Sequence, residues 1–129
     1  MVIALLLAQD KLSKLVAAQT AYAAETHAPL FNDDALGAIR YWAQYYRVSA
    51  HQMTETMRCE SNFDPTAVGD HGKSFGAAQI YLPAHGPNSG RYVTKEQALD
   101  GDFAVRYMAS HWKTDTWSCA RDLGYYVVR

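Results

Sequence analysis

The chain is predicted to be a mainly α-helical domain with irregular loops and at most a minor β element. Three observations carry this. Apolar residues recur at alternating spacings of three and four in separate segments, the period of an amphipathic helix. Capping residues stand at the heads of such segments: Ser49 with Gln52, Thr94 with Gln97, and Asp100. Two loops rich in turn formers, Asp64 to Lys73 and His85 to Tyr92, divide them.

Leu5, Ala8, Leu12, Leu15, Gln19 and Tyr22 alternate in this way, giving a first helix over about 3 to 24. It reads as an arm packing on its own domain, with a seam for self-association as the other use. The domain layout is therefore an arm over 1–24 and one folded domain over 25–129. Glu25 to Phe31, with Pro29, reads as a linker. Asp33 or Asp34 caps a second helix reaching Tyr46. Its inner stripe is Leu36, Ile39, Ala43 and Tyr46, with Trp42 beside it.

Arg47 and Val48 connect into a third helix, completing an αα-hairpin. Ser49 is its N-cap, Gln52 completes a capping box, and Val48 and Met53 occupy the positions of a hydrophobic staple. Asp64 precedes Pro65 and is biased away from helical dihedrals, so the helix stops by about residue 62. After the 64–73 loop, itself a candidate for a small strand-like excursion, Ser74 is read as capping a short helix through Tyr81, ended by Pro83. A helical turn follows from Thr94 to Leu99. Asp100 caps the next helix, with Val105, Met108 and Trp112 inside. Asp115 or Thr116 starts a last short helix containing Trp117 and Cys119, stopped near Gly124. Tyr125 to Arg129 is a final strand or a tail.

At 129 residues the chain can bury a real core without obligatory staples. Twelve basic residues face thirteen acidic ones, so no charge excess argues for nucleic acid. The longest apolar run, Val2 to Ala8, is far shorter than the ~20 residues of a membrane span. No Lys or Arg precedes it, so it is also a poor signal peptide. An aromatic content of 12 %, much of it tyrosine, suits sugar stacking or plain packing equally.

Glu60 is the first functional candidate. Met53, Met57 and Glu60 follow the spacing i, i+4, i+7 and share one stripe of the third helix. A carboxylate on an apolar stripe is costly to ionise. The last turn of a helix, with its partial negative charge, adds to that cost. Both effects retain a proton, which suits a general acid. The competing reading is a Glu whose stem packs on methionine while its head reaches water or an arginine.

Cys59 and Cys119 are the only cysteines. They are two buried thiols, a disulfide, or unrelated. Their spacing does not match a zinc motif. The residues point to no cofactor and no metal. The weak alternative is a convergence of Asp70 and His71 with His85 or His111, against which scattered histidines usually sit at surface or satisfied core positions.

Taken in order, Glu60-Ser61-x-Phe63-x-Pro65-x-Ala67, then Gly72, Ser74, Gly76, Gln79, Ile80 and Pro83, resemble the catalytic core of the soluble lytic transglycosylase family of the lysozyme-like superfamily. Ile39-Arg40-x-Trp42-Ala43 fits the preceding helix. The resemblance covers about residues 35 to 112. It implies a lysozyme-like helical domain that cleaves the β-1,4 bond between N-acetylmuramic acid and N-acetylglucosamine in peptidoglycan strands. Glu60 matches the single acid and base, which leaves a 1,6-anhydro ring on the sugar in place of a reducing end. Gln79 matches a cleft glutamine that holds a sugar carbonyl or orients the acid. Ser74 falls in a cleft-lining turn, and N-capping explains it equally well. Tyr81 joins these as a substrate-binding candidate.

The resemblance also tips the cysteines towards a Cys59–Cys119 disulfide, which implies an exported setting. The sequence departs from the family in three places. The stretch between Gly72 and Gly76 is one residue longer. Cys59 before the acid is not general in the family. A late Tyr-Asn-x-Gly motif, whose tyrosine stands near the acid, is missing. Trp117, Tyr125 and Tyr126 are candidates to replace it, with Trp117 first because Cys119 would pin it near Glu60.

Two rival functions remain. One is a lysozyme-type hydrolase with Asp70 as helper carboxylate and Asp64 behind it, both also plain turn residues. The other is a non-catalytic glycan-binding or assembly module.

Overall fold

A computed structural model describes residues 2–126, with side chains over 8–19 and 27–126. Among the described residues it is mainly helical with one small three-stranded sheet. The helices are α1 (Val2–His27), α2 (Ala35–Tyr46), α3 (Ala50–Ser61), α4 (Lys95–Ala98), α5 (Gly101–Ser110) and α6 (Ser118–Asp122). The strands are β1 (Val68–Gly69), β2 (Ser74–Phe75) and β3 (Ile80–Tyr81).

α1 runs to His27, so the expected linker begins only at Ala28. Over residues 8–19 every side chain is exposed, with Leu12 at 61 % and Leu15 at 62 %. The arm therefore does not pack on its own domain along that stretch. The side chains of Leu5 and Tyr22 lie outside the described residues. No described helix is long and apolar enough to cross a membrane.

α2 starts where Asp34 accepts the Gly37 N–H at 2.9 Å, and ends where Arg47 turns left-handed at φ 58°. α3 follows at once. Ser49 accepts the Gln52 N–H at 3.2 Å, and Asn62 ends the helix at φ 52°. α2, α3 and α5 enclose the core, where Ile39, Met53, Met57, Val105 and Met108 are fully buried. Thr94 and Gln97 make the reciprocal capping box of α4, and Asp100 caps α5. Trp112 is buried as expected, though it lies beyond the end of α5. Asp102 of α5 accepts the Phe31 N–H at 2.6 Å, which ties down the stretch after α1.

The segment 74–81 is not a helix. Ser74 and Phe75 form β2, which pairs antiparallel with β1 (Val68 opposite Phe75) and with β3 (Phe75 opposite Ile80). Tertiary packing overrides the capping signal. Gly76 at φ +81° and Gln79 at φ +48° make the β2–β3 turn, and neither backbone fits a helix. Gly76 is also the only residue that fits, because a Cβ there would stand 1.7 Å from the Ala98 carbonyl oxygen of α4. Gly69 leaves room for Gln79 Oε1 in the same way.

The last helix starts later than expected. Trp117 is its N-cap and lies outside it, and Gly124 follows the last turn at φ +81°. Tyr125 and Tyr126 belong to no strand, and residues 127–129 lie outside the description.

Candidate active site

A cleft of about 370 Å³ opens between the end of α3, the small sheet and the loop leading into α6. Glu60, Asp70, Ser74, Gln79, Tyr81 and Trp117, all singled out from the sequence, line it. The buried Met53 and Met57 carry the stripe of α3 through the core, and the next member, Glu60, emerges half-buried in the cleft wall.

The Glu60 carboxylate accepts the Cys119 backbone N–H at 3.1 Å, with the Ser118 hydroxyl at 3.5 Å from the same oxygen. Its pKa is raised above the ordinary glutamate value. Burial is the main cause, and the fields of Asp70 and Asp122 add to it. The bonds from Cys119 and Ser118 pull the other way without cancelling it.

Cys59 and Cys119 form a disulfide with Cα atoms 5.9 Å apart. The bridge joins α3 to α6 at the residue preceding Glu60, and it sets the Cys119 N–H against that carboxylate. Ser61, on the other side, donates its hydroxyl to the Ala77 carbonyl at 2.6 Å, binding α3 to the β2–β3 turn.

Ser74 does not reach out to a ligand. Its side chain is fully buried and its hydroxyl donates to Asp70. This bond holds the exposed Asp70 carboxylate at the cleft, on a left-handed backbone at φ 50°. Gln79 gives its amide N–H groups to the Gly76 and Ala67 carbonyls, at 3.0 and 3.3 Å, so they brace the turn and are not directed at Glu60. Tyr81, 44 % exposed, lines the cleft.

Trp117 is buried. Its indole N–H donates to the Ala78 carbonyl at 2.8 Å and its ring stacks on Trp112 at 5.9 Å. It is a wall of the cleft and has no N–H left for Glu60. Tyr126, outside the lining, accepts the Trp117 backbone N–H at 3.0 Å. Burial raises its phenol pKa, and the Glu60 and Asp115 charges raise it further. Asp64 stands apart from the cleft lining. Its carboxylate is lowered by bonds from the Thr66 amide and hydroxyl, the signature of a turn residue.

Sequence reasoning missed the opposite wall. Asp115 pairs with Arg91 and accepts the Tyr107 hydroxyl at 2.9 Å. Burial, followed by Asp115, pushes the Tyr107 phenol far above its ordinary range. The buried His85 donates from Nδ1 to the Arg91 carbonyl at 3.0 Å. Only one signal could have pointed here: a Cys59–Cys119 bridge forces residues 115–118 to face Glu60. No group of three or more His, Cys, Asp or Glu residues among the described ones converges on a metal-sized site.

No family model, curated protein or solved structure matches this chain.

Proposed function

We propose that the chain is a peptidoglycan-cleaving enzyme of lysozyme-like fold, related to the lytic transglycosylases, with Glu60 as its single acid and base. The observation that carries this is the half-buried Glu60, its pKa raised by burial, in the wall of an open cleft at the position the family motif assigns to the acid. In the first step Glu60 gives its proton to the oxygen of the glycosidic bond as that bond breaks at C1 of the N-acetylmuramyl residue. Glu60, now a carboxylate, takes the proton of that sugar's 6-hydroxyl while the oxygen closes on C1. The product is a 1,6-anhydro end, and Glu60 is protonated again.

The Cys119 N–H stabilises the carboxylate formed between the two steps, and burial favours the acid before the first. Tyr81 offers a stacking face for a sugar. No cofactor takes part. The disulfide is compatible with an exported protein acting at a cell wall or in a phage particle.

One observation favours a second reading, hydrolysis of the same bond. Asp70 shares the cleft with Glu60 and is held there by a buried serine. A carboxylate so placed can orient a water in place of the 6-hydroxyl. Analysis of the sugar ends in a peptidoglycan digest separates the two. Anhydro ends support the transglycosylase and reducing ends the hydrolase. A digest with neither rejects both and leaves a glycan-binding module.

A further inference from the structure

The wall opposite Glu60 carries a feature that bond cleavage does not use. Besides Glu60, the general acid, three charged groups line the cleft: the carboxylates of Asp70 and Asp115, and the guanidinium of Arg91. Arg91 is the only lysine or arginine among the lining residues. Its side chain is 47 % exposed, whereas that of its partner Asp115 is only 13 % exposed. Asp115 is fixed a second time by the Tyr107 hydroxyl, so the guanidinium is anchored to a carboxylate that cannot swing away. The anchor bond runs through Nη1 alone. Nε and Nη2 make no hydrogen bond among the described residues, and a guanidinium has five donors in a fixed fork.

We propose that Arg91 is an anion subsite that recognises a carboxylate borne by the glycan, and so sets the preference for muramyl strands over neutral N-acetylglucosamine polymers. The inference rests on the glycan-cleaving reading for its ligand. Asp70 repels an anionic polymer entering the cleft, and Arg91 is the cation in the lining that can answer it. Asp115 and Tyr107 hold that cation in place before the ligand arrives, so little side-chain freedom is lost on binding. The carboxylate has two sources of the same chemistry: the lactyl group of a strand without peptide stems, and the acidic residues of a stem.

The test measures binding by the Glu60→Gln protein, which cannot consume its ligand. Three oligomers of equal length are compared: a chitin oligomer, a stem-free muramyl oligomer and a stem-bearing one. A charge-assisted pair predicts a preference of about tenfold for a carboxylate-bearing oligomer. Preference for the stem-free oligomer assigns the lactyl carboxylate, and preference for the stem-bearing one alone assigns the stem. Adding Arg91→Gln should reduce the ratio to near one, whereas Arg91→Lys should keep part of it. An unchanged ratio in Arg91→Gln overturns the proposal, as does a ratio near one in the parent or complete loss in Arg91→Lys. An Arg91-dependent ratio in a protein whose wild type releases no product leaves the subsite standing and removes only the cleavage reading.

Discussion

Glu60 and Cys119 meet through a 3.1 Å hydrogen bond from the Cys119 backbone N–H to the Glu60 carboxylate, beside a covalent bridge from Cys119 to Cys59. Cys119 is thus fixed to the end of α3 twice, once through sulfur to Cys59 and once through its N–H to Glu60, the group assigned the chemistry. The bridge keeps the donor against the acid. It is also reachable, because Cys59 is exposed.

Glu60→Gln is expected to keep the fold, since the amide oxygen can still accept the Cys119 N–H, and to lose cleavage by a factor of at least ~10². Its stability should change with a definite sign. A carboxyl whose folded pKa is raised contributes most below its unfolded pKa, and that contribution is lost as pH rises through the folded value. The variant should therefore melt at or above the wild-type temperature at neutral pH, and the gap should narrow in acid. Thermal melts across pH check this; a variant markedly less stable at neutral pH contradicts it.

Cleavage should likewise fall as pH rises through the Glu60 pKa, which lies above the ordinary glutamate value. A pH profile of kcat/KM is the measurement. An alkaline limb at or below the free glutamate pKa would mean that burial does not tune this group.

Replacing both cysteines by serine opens a loop with a sequence separation of 60. The expected loss is about 4 kcal/mol by the chain-entropy account, read from denaturant midpoints. Activity should fall as well, because α6 is then free to carry the Cys119 N–H away from Glu60. Full activity under reducing conditions would show that the acid does not need its tether.

Ser74→Ala removes the buried donor that holds Asp70. It should cost on the order of 1 kcal/mol. On the transglycosylase account, Asp70→Asn lowers the rate only modestly and leaves the chemical form of the product unchanged. If Asp70→Asn abolishes cleavage as completely as Glu60→Gln, the hydrolase account gains.

Gly76→Ala forces a Cβ into the Ala98 carbonyl oxygen and adds a left-handed alanine. A destabilisation of more than ~3 kcal/mol is expected, large because packed backbone cannot give way. A near-neutral melting temperature would contradict the close packing of the β2–β3 turn on α4.

The helices were legible because their signals are local. Ser49, Thr94 and Asp100 each cap the helix that their neighbours predict, and the stripe of Met53 and Met57 leads to Glu60. Segment 74–81 was misread because Ser74 looks like a cap, whereas Gly76 and Gln79 take left-handed backbones that only the contact with α4 fixes. The cleft was half legible. Glu60 could be placed from motif and helix phase, and Ser74 and Gln79 from the motif. Arg91, Tyr107 and Asp115 could not, because their meeting depends on a pairing across 24 residues and on how the loop before α6 is drawn in by the disulfide. Trp117 was placed near Glu60, but its indole N–H is taken by the Ala78 carbonyl, a tertiary partner with no mark in the sequence.

The most direct test of the central claim is mass spectrometry of purified peptidoglycan after digestion with the wild type and with Glu60→Gln. The account predicts anhydro-muropeptides from the wild type and none from the variant. Equal release of products by Glu60→Gln would contradict it.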